Sequence, residues 1–129
     1  MQNRLKIFFR VILTAAIFFS AKNCFAEDLR FIDAKDDIGY YVDASTIRIE
    51  SDSVFFADLV IIRASINQME VISLRINHWE RTYAVQSVRT LSYDGRTELK
   101  VDNNPRRAAS YNDKSLIGDV VHFVIYGSL

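Results

Sequence analysis

Between residues 29 and 101 the hydrophobic positions fall into short runs that are typical of β-strands. Val54–Arg63 is apolar at both alternating sets of positions, which predicts a central strand covered on both faces. In Met69–Asn77 apolar and polar residues alternate from Ile72 onward, as in a strand with one buried face. The other runs predicted as strands are Leu29–Asp33, Ile38–Asp43, Thr46–Glu50, Arg81–Ser92 and Arg96–Val101. Asp94-Gly95 predicts a two-residue hairpin turn between the last two runs.

The apolar period changes near the C-terminus. Apolar residues there recur at i, i+1, i+4, i+5, i+8 and i+9, which is one stripe of an amphipathic helix. Asp113 or Ser115 is placed to cap its first N–H groups, and Gly127 to take the left-handed position after its last turn. The sequence therefore predicts an α+β fold, an antiparallel β-sheet meander of about five to six strands with one C-terminal amphipathic helix packed on it. The stripe consists of Leu116, Ile117, Val120, Val121, Val124 and Ile125.

Residues 1–26 have the features of a secretory signal peptide. A basic start is followed by the apolar run Val11–Ala21, which is shorter than the about 20 apolar residues that a membrane-spanning helix needs. Small residues at Cys24 and Ala26 predict cleavage between Ala26 and Glu27, so residues 27–129 form a single mature α+β domain. An uncleaved membrane anchor is the alternative. After cleavage we expect no stable membrane span.

Cys24 is the only cysteine of the chain and lies before the predicted cleavage point. A lipid attachment there is disfavoured, because Asn23 stands where a lipoprotein signal has a small residue. Without Cys24 the mature chain has no disulfide, no thiol nucleophile and no cysteine ligand for zinc.

Composition and charge restrict the class of protein further. The 129 residues are 50% hydrophobic and 25% charged, which suits one ordinary folded domain. Basic and acidic residues both number 16, but residues 1–26 hold four of the basic ones and no acidic one, so residues 27–129 carry a formal charge of −4. We therefore expect no binding to nucleic acid.

The segment from Val101 to Lys114 contains the only proline and reads as a functional loop or a partly ordered connection. Arg106 and Arg107 form a small basic spot in it, on an otherwise acidic mature chain. Such a spot favours contact with anionic lipid headgroups, lipopolysaccharide or an acidic partner, although arginine pairs in loops are commonly just solvated.

His78-Trp79-Glu80-Arg81 is the densest cluster of chemically active side chains. His78 and Glu80 lie two residues apart, the spacing of one strand face, but no nucleophile stands at a fixed distance from them. We interpret the cluster as a strand connection with a half-buried Trp79 and a solvated Arg81, and assign no catalytic residue. Trp79, Arg81, Arg106 and Arg107 are the candidates for partner binding.

Neither the histidines nor the acidic residues have the spacing of a metal site. His78 and His122 are far apart in sequence, and Asp33, Asp36 and Asp37 lack the glycine and distal glutamate of a calcium loop. No phosphate-binding glycine loop is present either. We expect no metal and no cofactor.

Several short motifs follow one another in an order that is informative. Tyr40–Ile47 (YYVDASTI) precedes the strand Val54–Arg63, the paired segment Arg75–Ser92, Tyr93-Asp94-Gly95 and the helix start Ile117–Val121. This order resembles the surface-adhesin protein E-like family of small exported bacterial domains, and it spans most of residues 38–127. The resemblance implies a small exported domain of the same α+β fold.

Two departures from the family pattern concern cysteines. His78 and Tyr126 occupy the positions where the family has a strand cysteine and a C-terminal cysteine. If these cysteines bridge strand to helix in the family, this chain lacks a disulfide worth roughly 2–4 kcal/mol. We expect packing of Tyr126 near His78 to replace part of it. Ala44 stands where the family commonly has proline.

The leading functional hypothesis is a small exported envelope or surface protein that acts by binding, adhesin-like, without catalysis. We expect it in the periplasm or on the outer cell surface of a Gram-negative bacterium. Its partner would be an envelope or extracellular protein, with pairing at an exposed sheet edge, including a homodimer, as one route. The alternative is a periplasmic small-ligand carrier or inhibitor module with a cavity between sheet and helix.

Overall fold

The computed structural model describes residues 27–127, which contain seven strands, a short 3-10 helix and one α-helix. The predicted signal peptide and Ala26 lie outside the described residues, and Glu27 is the first residue within them. The strands are β1 (Leu29–Lys35), β2 (Ile38–Ile49), β3 (Val54–Arg63), β4 (Gln68–Asn77), β5 (Thr82–Ser92), β6 (Glu98–Asp102) and β7 (Ala109–Ser110). The 3-10 helix is Ala64–Ile66 and the α-helix, α1, is Leu116–Tyr126.

The strands form one antiparallel meander in the order β1-β2-β3-β4-β5-β6, with β7 paired to β5. The fold is mostly β and broadly α+β, as predicted, and the helix begins and ends as expected. Ser115 caps it by accepting a hydrogen bond from the Gly118 N–H, and Gly127 ends it at a φ of 75°. The short β7 raises the strand count above the predicted five to six.

Alternation along the strands gives the sheet two different faces. The face that α1 covers, called here the helix face, holds the main apolar core, in which Val42, Ile76 and Val120 are fully buried. The opposite face, called here the open face, carries a smaller apolar cluster of Val60, Met69, Val71 and Leu91. Both faces of β3 are therefore partly buried, which confirms the prediction of a central strand covered on both sides.

A bulge in β2 joins two segments that the sequence separates. The register against β3 shifts between Asp43 and Arg48, and the extra residues are held by side chains. Thr46 Oγ1 accepts a hydrogen bond from the Asp58 N–H at 2.9 Å and donates to the Asp43 carbonyl at 2.7 Å. The Thr46 hydroxyl thus links the backbones of β2 and β3 at the bulge. The prediction of two strands here is wrong, because these side-chain hydrogen bonds keep the polar residues after Asp43 within one continuous strand, β2.

The sheet coils so that the two ends of the meander approach each other. Glu27, just before β1, accepts two hydrogen bonds from Arg96, in the loop between β5 and β6, at 2.9 and 3.2 Å. In a flat sheet β1 and β6 would lie roughly 24 Å apart, since adjacent strands are spaced by roughly 4.8 Å. Because Glu27 and Arg96 also line one pocket with open-face residues, the coil closes over part of the open face.

The β5–β6 connection is longer than the predicted two-residue turn. Ser92 and Thr97 close it, with the Ser92 N–H donating to the Thr97 carbonyl at 2.8 Å, and Arg96 takes the positive φ of 56°. Asn67 Oδ1 accepts the Asp94 N–H at 2.9 Å. This hydrogen bond ties the loop to the neighbouring turn between β3 and β4, a tertiary contact that the Asp-Gly signal does not reveal.

Candidate functional site

A cleft of about 410 Å³ lies between the β4–β5 turn and α1. We call it the turn–helix cleft and define it by six of its lining residues. It combines imidazole, guanidinium, phenol and carboxylate groups on a partly apolar wall. The six residues are His78, Arg81, Tyr111, Asp113, His122 and Tyr126.

The β4–β5 turn is held rigidly on one side of this cleft. Asn77 Oδ1 accepts hydrogen bonds from the backbone N–H groups of Trp79 at 3.2 Å and Glu80 at 3.0 Å. His78 Nε2 lies 2.9 Å from the Asp52 carbonyl, which requires the ring to donate from this nitrogen. The turn ends at Arg81 with a φ of 55°. Local hydrogen bonds therefore fix the backbone that presents Trp79.

Trp79 projects into solvent with 70% of its surface exposed. The expectation of a half-buried Trp79 is wrong, because the residue lies in a turn beyond the end of β4 rather than on a strand face. Its ring packs edge-on against the His78 ring, with centroids 6.4 Å apart. Trp79 thus adjoins the turn–helix cleft through His78.

The helix side of the cleft depends on Gly118. A Cβ at this position would lie 2.3 Å from the Asp113 carbonyl oxygen and 2.7 Å from that of Asn112, so only glycine admits the segment before the helix. One turn further along, the His122 and Tyr126 rings pack at a centroid distance of 4.8 Å. Tyr126 is 72% exposed. An aromatic pair therefore stands on each side of the cleft.

An ion pair and a backbone hydrogen bond connect the two sides. Arg81 Nη2 lies 3.3 Å from Asp113 Oδ2, and the Tyr111 N–H donates to the Arg81 carbonyl at 3.0 Å. The buried Tyr111 hydroxyl has no hydrogen-bond partner in the described part of the chain. Burial raises the pKa of Tyr111, the Asp113 charge raises it further, and Arg81 opposes the shift.

Of the four residues predicted to bind a partner, the structure brings two together. Arg81 lines the turn–helix cleft and Trp79 adjoins it through His78. Arg106 lies elsewhere, beside β5, where its N–H donates to the Val85 carbonyl at 2.9 Å and its side chain pairs with Asp102 at 3.2 Å. Arg107 follows it and is exposed. The segment from Val101 to Lys114 is thus partly ordered along the edge of β5.

His78 and Tyr126, the positions compared with the family's cysteines, both line this cleft. The His78 ring has Phe55 at 6.2 Å in addition to Trp79, whereas the Tyr126 ring packs on His122. The substitution of a disulfide by direct packing of these two side chains stays a prediction.

A second concave region, not predicted from the sequence, lies on the open face around the carboxylates of Asp43 and Asp58, which are directly opposite each other on β2 and β3. Asp43 lines one pocket of this region and Asp58 lines another. Asp43 is 8% exposed, and its Oδ1 accepts hydrogen bonds from the Asp28 and Ser45 N–H groups and the Ser45 hydroxyl. The available signal was a carboxylate inside an apolar run, as Asp58 is in Val54–Arg63.

The pKa of Asp58 is raised above its ordinary value. Burial is the largest cause, and the negative charge of Asp43 adds to it. A hydrogen bond from Ser73 and the charge of Arg89 act in the opposite direction. A carboxylate with a perturbed pKa in a concave surface is a common feature of functional sites.

Both outer strands of the meander carry features that discourage edge pairing. The register of β1 shifts between Phe31 and Asp33, and charged side chains are frequent along both edges. On β6 they alternate with the exposed Leu99 and Val101. The charged residues are Arg30, Asp33 and Lys35 on β1 and Glu98, Lys100 and Asp102 on β6.

Comparison of the chain with protein families, with curated proteins and with solved structures finds no match. Within residues 27–127, no group of three or more His, Cys, Asp or Glu side chains is arranged to hold a metal ion. No helix in that range is long and apolar enough to cross a membrane.

Proposed function

We propose that this chain is a small exported bacterial envelope protein that acts by binding a protein partner at the turn–helix cleft, without catalysis. The observation that carries the proposal is a pair of highly exposed aromatic side chains at a polar cleft: Tyr126 lines the cleft, and Trp79 packs on His78, which also lines it. Tryptophan, tyrosine and arginine are the residues most enriched at the energetic centres of protein interfaces.

The surroundings of these side chains favour binding over chemistry. Asn77 fixes the turn that carries Trp79, so little conformational entropy is lost when a partner covers the indole. The Arg81–Asp113 pair supplies donors and an acceptor at the rim of the cleft. His78 donates from Nε2 to the Asp52 carbonyl, which leaves this nitrogen unsuited to act as a general base.

The location of the protein rests on its sequence. The features of residues 1–26 support export with cleavage before Glu27, to the periplasm or the outer surface of a Gram-negative cell. The order of motifs from Tyr40 to Val121 supports membership of the surface-adhesin protein E-like family. An adhesive role is then one form of the proposed binding, since partner identity does not transfer with a fold.

The first experiment is expression of the full chain in a Gram-negative host, with fractionation and intact-mass measurement. We expect a periplasmic or surface species that begins at Glu27. A full-length species retained in the inner membrane would contradict the export part of the proposal, and the binding site would then belong to a domain tethered at the membrane surface.

The second experiment measures binding of the mature protein to purified extracellular-matrix proteins and to solubilised envelope proteins by surface plasmon resonance. Trp79→Ala should weaken saturable binding at least tenfold, the usual effect of losing a central aromatic contact. Phe31→Ala is the matched control, because Phe31 is 59% exposed but lies on β1. Equal binding by the two variants, or no saturable binding to either panel, would refute the proposed site.

A further inference from the structure

A pocket of about 190 Å³ on the open face has an apolar floor. We call it the sheet pocket. Four side chains from three adjacent strands form the floor, and each is at most 7% exposed. This volume is below the roughly 300–1,000 Å³ of sites for drug-sized ligands, so only a small molecule or a single side chain fits. The floor residues are Val60, Met69, Val71 and Leu91.

Charged side chains from both ends of the coiled sheet form the rim of the sheet pocket. Glu27 and Arg96 meet there in a two-point ion pair, and Arg96 also donates to the Tyr93 carbonyl. Glu98, on β6, adds a third charge to the rim. Because Arg96 is engaged by Glu27, its positive charge is largely compensated.

Counted over its whole lining, the sheet pocket holds three carboxylates and two guanidinium groups. Asp43 lines the wall, and Asp58 lies directly opposite it in the register of β2 and β3. Arg89 is the cation on this wall, and it interacts with Asp58. With Arg96 compensated by Glu27, the remaining charged side chains of the lining are Asp43, Glu98 and Arg89, which leaves one negative charge in excess. The three hydrogen bonds to the Asp43 carboxylate described above all end on Oδ1.

We propose that the sheet pocket binds a small amphiphilic amine. The ammonium group lies between the carboxylates of Asp43 and Glu98, where its charge is complementary and hydrogen bonds to ionised acceptors are strong. The aliphatic body, about six carbons long, lies on Val60, Met69 and Val71 and removes their remaining apolar surface from water. This activity is separate from partner binding at the turn–helix cleft, which involves none of these residues.

The test compares three probes with the same aliphatic body and different charge, namely 1-hexylamine, 1-hexanol and hexanoate. Each is titrated into the mature ¹⁵N-labelled protein at pH 7, and amide shifts are followed by NMR. We expect saturable shifts at Val60, Met69, Val71 and Leu91, with hexylamine at least fivefold tighter than hexanol and hexanoate weakest. Equal affinity for hexylamine and hexanol, tighter binding of hexanoate, or no saturable shift at these amides would overturn the proposal.

Two variants assign the charge preference to the pocket. Glu98→Gln removes a rim carboxylate from an exposed strand residue and should weaken hexylamine about threefold while leaving hexanol unchanged. Glu80→Gln, in the exposed β4–β5 turn, is the matched control and should leave both affinities unchanged. Asp43→Asn serves as a second variant, and its affinity for hexylamine is interpreted only if its amide spectrum shows that it is folded like the native protein. Unchanged hexylamine binding in both Glu98→Gln and Asp43→Asn would refute the assignment.

Discussion

The two faces of the sheet are built from the same strands but bury different chemistry. On the helix face, Leu74 and Ile76 pack beneath α1 in a continuous apolar core. On the open face, a small apolar cluster adjoins Asp43 and Asp58, in a sheet that coils toward the Glu27–Arg96 pair. The helix face is therefore organised for stability, whereas the open face holds charged groups at a cost in stability.

The largest expected difference between the faces comes from one substitution made on each. Leu74→Ala, at a helix-face leucine that is 1% exposed, should lower the free energy of unfolding by about 3–4 kcal/mol, because it leaves a cavity beneath α1. Leu91→Ala, at an open-face leucine that is 7% exposed, should cost about 2 kcal/mol, since this side chain already borders the sheet pocket rather than a close-packed core. Denaturant unfolding measures both, and equal costs would remove the distinction between the faces.

Gly118→Ala tests how α1 is attached to the segment before it. A Cβ would lie 2.3 Å from the Asp113 carbonyl oxygen, so that backbone must shift, and we expect a loss of about 2 kcal/mol. Gly95→Ala is the matched control, because its Cβ would meet no atom closer than 3.6 Å and should change stability by about 0.5 kcal/mol or less. A Gly118→Ala variant as stable as the control would show that this segment is free to move away.

Arg96→Gln tests whether the Glu27–Arg96 pair holds the coil closed. The pair is partly exposed, so we expect a loss of about 1 kcal/mol or less in unfolding free energy, reduced further by 0.5 M salt. Arg30→Gln is the control, since Arg30 pairs with Asp28 only two residues away and crosses no part of the sheet. A loss in Arg96→Gln that salt leaves unchanged would point to packing rather than charge.

The strands and helix were largely predictable because their patterns are local. Val54–Arg63 and the stripe of α1 have the periods of a buried strand and an amphipathic helix, and both predictions are confirmed. The continuity of β2 was not predictable, because Thr46 bonds to Asp58, twelve residues away. The prediction of a two-residue turn at Asp94-Gly95 failed for the same reason, because Asn67, in another loop, accepts a hydrogen bond from the Asp94 N–H.

The candidate sites likewise include residues that a local pattern predicts and residues that only a long-range contact brings together. Trp79 and Arg81 could be recognised because they lie two residues apart in sequence and within the same turn. The Asp43–Asp58 pair was missed because only the pairing register of β2 and β3, shifted by the bulge that Thr46 holds, places these residues opposite each other. Arg106 was predicted to bind a partner. Instead it pairs with Asp102, four residues away, in a segment that runs along β5.

Asp58→Asn gives the smallest predicted effect and the sharpest test of the cost of charge on the open face. Because burial raises the folded-state pKa of Asp58, its ionised form destabilises the fold at pH 7, and the variant should melt roughly 2–4 °C higher. The gain should shrink as pH falls through the folded pKa and vanish below about 3.9, where the unfolded carboxyl is also protonated. Asp94→Asn should melt slightly lower, because hydrogen bonding from Asn67 lowers the pKa of Asp94. Calorimetric melting curves between pH 3 and pH 8 measure both, and a lower melting temperature for Asp58→Asn at pH 7 would mean that the interactions of ionised Asp58 with Ser73 and Arg89 outweigh the cost of its burial.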